Sequence, residues 1–282
     1  MPTLLTADGV RIRATHLARS DGLRAVPTDR PVDPSTALDL GLVVGHGFTG
    51  SLQRPALRTV LTTLSRYAGV VAFDFRGHGR SGGVTTVGDR EIADVEAAVR
   101  WARTLGYERV ATVGFSMGGA VVVRHAGLIG GVDAVVSVSA PAWWHYRGTV
   151  PMRRLHWLIE TGSGRTVSRL WRRTRVDRSG WPDPPPAPPY EVAAAIAPTP
   201  LLVVHGDADP FFPVVHAEAL AAAAREPKEL WIRPGLGHAE GAVDAALLAE
   251  IAAWVRNRTG ATPGGEVVPG ATVRCTATGS GA

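Results

Sequence analysis

Short apolar runs alternate with helical stretches along most of this chain, and that alternation limits the fold more than any other feature. Residues 40–45, 70–75, 109–113, 132–138, 199–204 and 229–232 read as strands. Near-continuous apolar runs of this kind suit strands covered on both faces. Between and after them, residues 52–67, 89–105, 120–126, 213–225 and 241–256 read as helices. In 89–105 the apolar residues Ile92, Val95, Val99, Ala102 and Leu105 recur at helical spacing, and Asp89 and Glu91 are expected in the first turn, where negative charge is favourable. Two further strands, 3–6 and 10–17, flank Asp8-Gly9, a hairpin signal. Strands followed by crossover helices imply a mostly parallel sheet, here of eight strands, with functional residues gathered at the carboxyl ends.

Two segments break the alternation. Residues 141–197 carry Trp143, Trp144, Trp157, Trp171 and Trp181 and nine arginines against four acidic residues. Within them, 152–159 reads as a short amphipathic helix with Met152, Leu155 and Ile159 inward and Arg153 and Arg154 outward. This stretch is expected to be a small helical cap inserted after the sixth strand. Residues 259–282 are Gly, Thr, Ala and Pro with few large apolar side chains, and are expected to be a disordered tail. The Pro- and Asp-rich 20–39 reads as a loop. The expected organisation is therefore a core in two parts, 1–140 and 198–258, with a cap at 141–197 and a tail at 259–282.

At 282 residues and 45% hydrophobic content, one well-filled core is sufficient. The single cysteine, Cys275, lies in the tail, which excludes a cysteine nucleophile or cysteine metal site in the core. No run of about twenty apolar residues is present, so no membrane span is expected. The first nineteen residues lack an apolar signal-peptide core, so a cytoplasmic location is expected. The net charge of +5 comes almost wholly from arginine, in a chain also rich in Ala, Gly and Pro. It accompanies no nucleic-acid-binding module, and none is expected as partner.

The chemistry centres on Gly114-Phe115-Ser116-Met117-Gly118, between a strand and a helix. Glycines two residues either side of a serine suit a sharp turn that lifts the hydroxyl clear of the sheet. A serine nucleophile needs a base, an acid to orient it, and donors for the oxyanion. His238 follows the last strand and a Gly235-Leu236-Gly237 turn, and is the candidate base. His46 and His205 end strands and suit local packing. His125 is on the helix after Ser116, His145 and His156 are in the cap, and His78 is in a loop. Asp207 and Asp209 both follow the seventh strand and are both candidate acids. Asp74 and Asp133 suit loop bracing. The backbone amides of Phe48 and Met117 are the candidate oxyanion donors. Trp143, Trp144 and Phe211 are candidate substrate contacts. The cap tryptophans serve equally to pack the cap onto the sheet.

The ordered set His-Gly-Phe-Thr-Gly (46–50), Asp-Phe-Arg-Gly-His-Gly-Arg-Ser (74–81), Gly-Phe-Ser-Met-Gly-Gly (114–119), His-Gly-Asp-Ala-Asp (205–209) and Gly-His (237–238) resembles the α/β-hydrolase superfamily. Within it the chain is most similar to serine esterases, lysophospholipases and monoacylglycerol-lipase-like enzymes, over residues 1–258. The resemblance implies an α/β-hydrolase fold, with Ser116 as nucleophile, His238 as base and Asp209, rather than Asp207, as acid. It implies a carboxylic ester hydrolase without cofactor or metal, acting on a small-molecule or lipid-like ester. A basic cap in weak contact with a membrane surface is a further expectation. Serine at 116 argues against the dehalogenases and epoxide hydrolases of the superfamily, which use aspartate. Acyl transfer, perhydrolysis and carbon–carbon hydrolysis use the same triad, and a non-catalytic ligand-binding protein can share the fold.

Overall fold

The computed structural model describes residues 2–20 and 38–260. The expected loop at 20–39 and tail at 259–282 lie, apart from their ends, outside the described residues. Among the described residues the chain runs β1 (Thr3–Leu5), β2 (Arg11–Leu17), β3 (Leu38–Gly45), α1 (Pro55–Leu64), β4 (Gly69–Phe73), α2 (Ile92–Thr104), β5 (Tyr107–Phe115), α3 (Met117–Leu128) and β6 (Ala134–Val138). It continues through α4 (Val150–Glu160), α5 (Gly162–Arg172), α6 (Pro189–Val192), β7 (Leu201–Gly206), α7 (Val215–Ala223), β8 (Lys228–Arg233) and α8 (Ala245–Thr259). The strands form one eight-stranded sheet in the order β1-β2-β4-β3-β5-β6-β7-β8. β1 and β2, and β2 and β4, pair antiparallel; every other pair is parallel.

Alternate residues of the central strands face opposite layers, as the two-residue period of a strand requires. Val43, Val71, Val110, Val135 and Val203 pack with α2, α3 and α7 through Val95, Val99, Val121 and Leu220. Leu42, Val44, Val113, Val136 and Val204 pack with α1 and α8 through Leu57, Leu61, Leu248 and Ile251. Helices thus cover both faces of the sheet, and each fully buried Val, Leu or Ile contributes about 1.5–3 kcal/mol. No helix among the described residues is long and apolar enough to cross a membrane.

Three local departures from the sequence reading have physical causes. α2 starts at Ile92 rather than at 89, because the Glu91 carboxylate serves the preceding loop. It accepts from the Thr85 and Thr86 hydroxyls at 2.6 and 2.8 Å and from the Thr86 and Gly88 amides at 2.8 and 2.9 Å. α3 begins directly after Ser116, because the strand-to-helix turn is a single residue. α5, for which the sequence reading gave no element within the expected helical cap, is a helix that buries Gly164 and Ser168 and exposes Val167, Leu170 and Trp171. An apolar stripe facing the core is the usual sequence signature of a surface helix, and α5 has none. Its first turn is capped by the Thr161 hydroxyl, which accepts from the Gly164 amide at 3.0 Å.

Candidate active site

The turn between β5 and α3 holds Ser116 at φ 50°, ψ −116°, a conformation L-residues rarely adopt and one that marks functional turns. The flanking glycines are required sterically. A Cβ at Gly114 would lie 2.2 Å from the Gly118 carbonyl oxygen, and one at Gly118 would lie 2.4 Å from the Gly45 carbonyl oxygen. The turn is anchored by the Ser116 amide, which donates to the Val138 carbonyl at 2.8 Å.

Two further strand-end loops meet this hydroxyl. His238, beyond β8, sits with Nε2 2.9 Å from Ser116 Oγ and Nδ1 2.7 Å from Asp209 Oδ2. A carboxylate can only accept, so Nδ1 carries the hydrogen and Nε2 is left to accept the Ser116 hydroxyl. The Asp209 side chain is fully buried, and its second oxygen accepts from the Phe211 and Phe212 amides at 2.7 and 3.1 Å. Asp207 lies elsewhere: its carboxylate accepts from the Gly235 amide at 2.6 Å and braces the turn before His238. Ser116, His238 and Asp209 are therefore brought together from the ends of β5, β8 and β7, while Asp207 is not.

The loop after β3 is held by groups that fix the plane of the Gly47–Phe48 peptide. Its carbonyl, that of Gly47, accepts from His46 Nδ1 at 2.7 Å and from the Gly50 amide at 2.9 Å. His46 is itself fixed, because its Nε2 accepts from the Phe75 amide at 3.1 Å. In a trans peptide the N–H points opposite to the carbonyl, so these bonds turn the Phe48 N–H away from His46. Among the described residues neither the Phe48 nor the Met117 amide has an acceptor.

Sequence reading did not single out Glu240, Ser139 or Phe212. Glu240 Oε1 accepts from the Gly47 amide at 2.6 Å, which ties the His238 loop to the loop after β3. Ser139 Oγ accepts from the Ala239 amide at 3.1 Å and holds the residue next to His238 from the other side. Glu240 follows the Gly-His motif by two residues, but nothing in a linear sequence says that it reaches back across 193 positions to Gly47.

A cavity of about 360 Å³ opens over Ser116, walled chiefly by apolar and aromatic side chains including Phe48, Trp143, Trp144, Leu155, Trp181 and Phe212. Trp143 stacks on buried His216 at 4.2 Å, and Trp144 packs on Trp181 at 5.0 Å. Met152, Leu155 and Ile159 of α4 also face the cavity. Phe211, expected among the substrate contacts, is not in the cavity wall. It is drawn onto the His238 ring at 4.3 Å, and its neighbour Phe212 supplies the wall.

His145 and His156 line the cavity, whereas His78, His125, His205, Asp74 and Asp133 serve the scaffold. His78 is wholly buried beside His46 and Phe48, and its Nδ1 donates to the Arg76 carbonyl at 3.0 Å. His125 meets Glu96 at 2.9 Å, and His205 Nε2 donates to the Phe212 carbonyl at 2.9 Å. Asp74 accepts from the Leu52 and Arg80 amides at 2.6 and 2.9 Å, and Asp133 from the Val110 amide at 2.7 Å. Burial pushes His78 down to about 3, and His216 down to about 4 for the same reason. A histidine whose value is depressed on folding stabilises the protein above its ordinary value near 6.5, and that stability is lost as pH falls toward the folded value. Between about pH 6.5 and 4, His78 alone adds up to about 1.4 kcal/mol per pH unit to the slope of unfolding free energy. The difference in that slope between wild type and His78→Gln, from urea unfolding at several pH values, measures it; equal slopes would remove the assignment.

Comparison with known proteins agrees with this architecture. Residues 42–251 match the model of the alpha/beta hydrolase family. The chain is 25% identical over 241 residues to the uncharacterized protein YfhR of Escherichia coli K12, covering 84% of this chain and 72% of that one. Its structure is similar to that of the Pyrococcus furiosus esterase Pf2001, at 22% identity and a TM-score of 0.67 over 91% of each chain. It is also similar to Est1E of Butyrivibrio proteoclasticus, solved with ferulic acid bound, at 19% identity and a TM-score of 0.55 over 91% of this chain and 97% of that one. With an eight-stranded, mostly parallel sheet between helical layers and a family match across most of its length, the chain belongs to the α/β-hydrolase family.

Proposed function

We propose that the chain is a serine hydrolase of carboxylic esters. The observation that carries this reading is the unbroken hydrogen-bonded line from Ser116 through His238 to Asp209, beneath an apolar cavity. Ser116 Oγ attacks the ester carbonyl while His238 Nε2 takes the hydroxyl proton. The negative oxygen of the tetrahedral intermediate is met by the Phe48 and Met117 N–H groups. The carbon–oxygen bond to the alcohol then breaks, and the alcohol leaves with the proton from His238. Water attacks the acyl-enzyme, losing a proton to His238, and Ser116 Oγ takes that proton back as the carboxylic acid departs. Residues 141–197 act as a cap whose aromatic wall receives the acyl or aryl part of the ester. The ferulic acid bound to Est1E of Butyrivibrio proteoclasticus supports an aryl group as one occupant of such a cavity.

Glu240 is a positioning residue in this scheme, because it accepts from the Gly47 amide, one peptide before the one that presents the Phe48 N–H. Glu240→Ala is expected to lower kcat about tenfold to a hundredfold with KM little changed, short of the roughly 10²–10³-fold cost of losing an oxyanion donor outright. Glu240→Gln keeps an oxygen that can accept from Gly47, and is expected to recover most of the rate. Equal damage from both variants would remove Glu240 from this role.

The deciding experiment is labelling with a fluorophosphonate probe, with the modified residue located by mass spectrometry. Ser116 is expected to be modified in the folded protein. A folded protein that stays unlabelled at Ser116 overturns the reading. A matched series of aryl and alkyl esters then defines which acyl groups the cavity accepts.

A further inference from the structure

Phe48 lines two cavities. One opens over Ser116. The other, of about 230 Å³, has Gly47, Thr49, Arg54, Arg172 and Glu240 in its wall, and Ser116 is not part of it. Arg54 stands just before α1 in the core, and Arg172 ends α5 in the cap. Neither side chain has a hydrogen bond or ion pair among the described residues. α1 has no acidic residue in its first turn, and α5 has none at all. Glu240 is the one carboxylate in the wall; its Oε1 accepts from the Gly47 amide at 2.6 Å, and it pairs with neither arginine. The wall therefore carries two positive charges against one negative, with the N–H donors of both guanidiniums unspent. Thr49 is an independent sign of use. It is held at φ 62°, in a turn closed by the Gly50 amide on the Gly47 carbonyl at 2.9 Å. Glycine or asparagine is the usual residue at such a position, and a β-branched side chain there is strained. The strained residue brings a hydroxyl to the cavity, and that hydroxyl has no partner among the described residues. Strain of this kind persists where a site makes use of it.

We propose that this second cavity binds a small oxyanion of the phosphate class, bridging Arg54 of the core and Arg172 of the cap, with the Thr49 hydroxyl donating to one of its oxygens. Charge selects an anion, because two unpaired guanidiniums brought to one cavity repel each other until a negative group joins them. The donor set selects phosphate over a carboxylate. A guanidinium fork matches two oxygens of a tetrahedral anion, and a tetrahedral anion still has oxygens left for the second fork and the hydroxyl. The bound anion ties the end of α5 to the loop that carries the Phe48 N–H, on the face of that loop away from the acyl cavity. Free phosphate and a phosphate carried on the ester present the same oxygens to this wall.

The test is calorimetric titration of the full chain with inorganic phosphate at constant ionic strength. Saturable binding at one site is expected. Arg54→Gln and Arg172→Gln are each expected to weaken it at least about tenfold, the cost of a lost charge-assisted hydrogen bond. Arg169→Gln, on the same helix as Arg172 but outside both cavities, is expected to bind as wild type does. Thr49→Gly is expected to weaken binding about threefold to tenfold while the melting temperature without phosphate holds or rises, because glycine accepts the positive φ without strain. A purely structural Thr49 would leave phosphate binding unmoved. Circular dichroism should show each variant folded. A folded wild type that does not saturate, arginine variants of the cavity that bind as wild type does, or an equal loss in Arg169→Gln overturns the proposal, and a Thr49→Gly variant with wild-type binding overturns the part given to the hydroxyl. Kinetics then separate the two sources. A KM that rises in Arg54→Gln/Arg172→Gln for a phosphate-bearing ester, and not for its uncharged analogue, assigns the anion to the substrate; a changed turnover of the uncharged ester on adding phosphate assigns a free effector. The titration needs no turnover, so an inert enzyme would overturn the ester-hydrolase reading and leave this one standing.

Discussion

Ser116→Ala and His238→Ala are each expected to lower kcat by about 10⁶-fold, and the double variant to be no worse than either single one. The reason is the 2.9 Å contact between the two side chains. Without the imidazole, the hydroxyl proton has no acceptor within reach, and the serine is no better a nucleophile than water. Without the hydroxyl, the imidazole has nothing to activate but water. Each group acts only through the other, so their effects do not add. Single-turnover and steady-state rates of the three variants on one activated ester measure this. Single variants whose losses multiplied in the double would show that His238 and Ser116 act independently, and would sink the proposed mechanism. Residual rate over water in all three would come from the Phe48 and Met117 amides and the cavity.

Asp209→Asn is the second large effect, expected at about 10⁴-fold in kcat with the fold intact. The environment of Asp209 says why so small a change costs so much. One carboxylate oxygen already accepts from the Phe211 and Phe212 amides, and those two donors require an oxygen there. The asparagine amide must therefore turn its NH₂ toward His238. An NH₂ can only donate, so Nδ1 becomes the acceptor and the hydrogen moves to Nε2, facing Ser116. The ring then presents a donor where the mechanism needs an acceptor. Imidazole NMR of the variant should find the hydrogen on Nε2 at neutral pH. Wild-type kcat with the hydrogen still on Nδ1 would mean that Asp209 does not orient the base. Asp207→Asn gives the contrast: its carboxylate oxygen accepts from Gly235, an amide oxygen does the same, and little change in kcat is expected.

The parallel sheet, the turn at Ser116 and the place of His238 beside it were readable from sequence because each follows from local chemistry. A serine between glycines and a histidine after a glycine turn are short patterns whose geometry is set by the residues themselves. The alternation of buried runs and helical stretches is likewise a periodicity within one segment. α5 was given no element although Val167, Leu170 and Trp171 recur at helical spacing; what the sequence did not show is that these side chains stay exposed while Gly164 and Ser168 are buried. The start of α2 was misplaced because Glu91 had a competing use, four hydrogen bonds to the loop before it, that outweighs a favourable first-turn charge.

What the sequence determined by itself was the sheet, the strained turn that carries Ser116 and the family. What only the tertiary structure decided were the contacts between strand ends. The residues alone left Asp207 and Asp209 both open and the resemblance favoured Asp209; the structure put Asp209 on His238 and Asp207 on Gly235, although the two are two residues apart. It put Phe211 against the imidazole and Phe212 in the cavity wall, and it joined Glu240 to Gly47. The physical reason is the same in each case. Adjacent residues leaving a strand point in different directions, and which of them meets a distant loop depends on the register and crossing of strands brought together by the whole core.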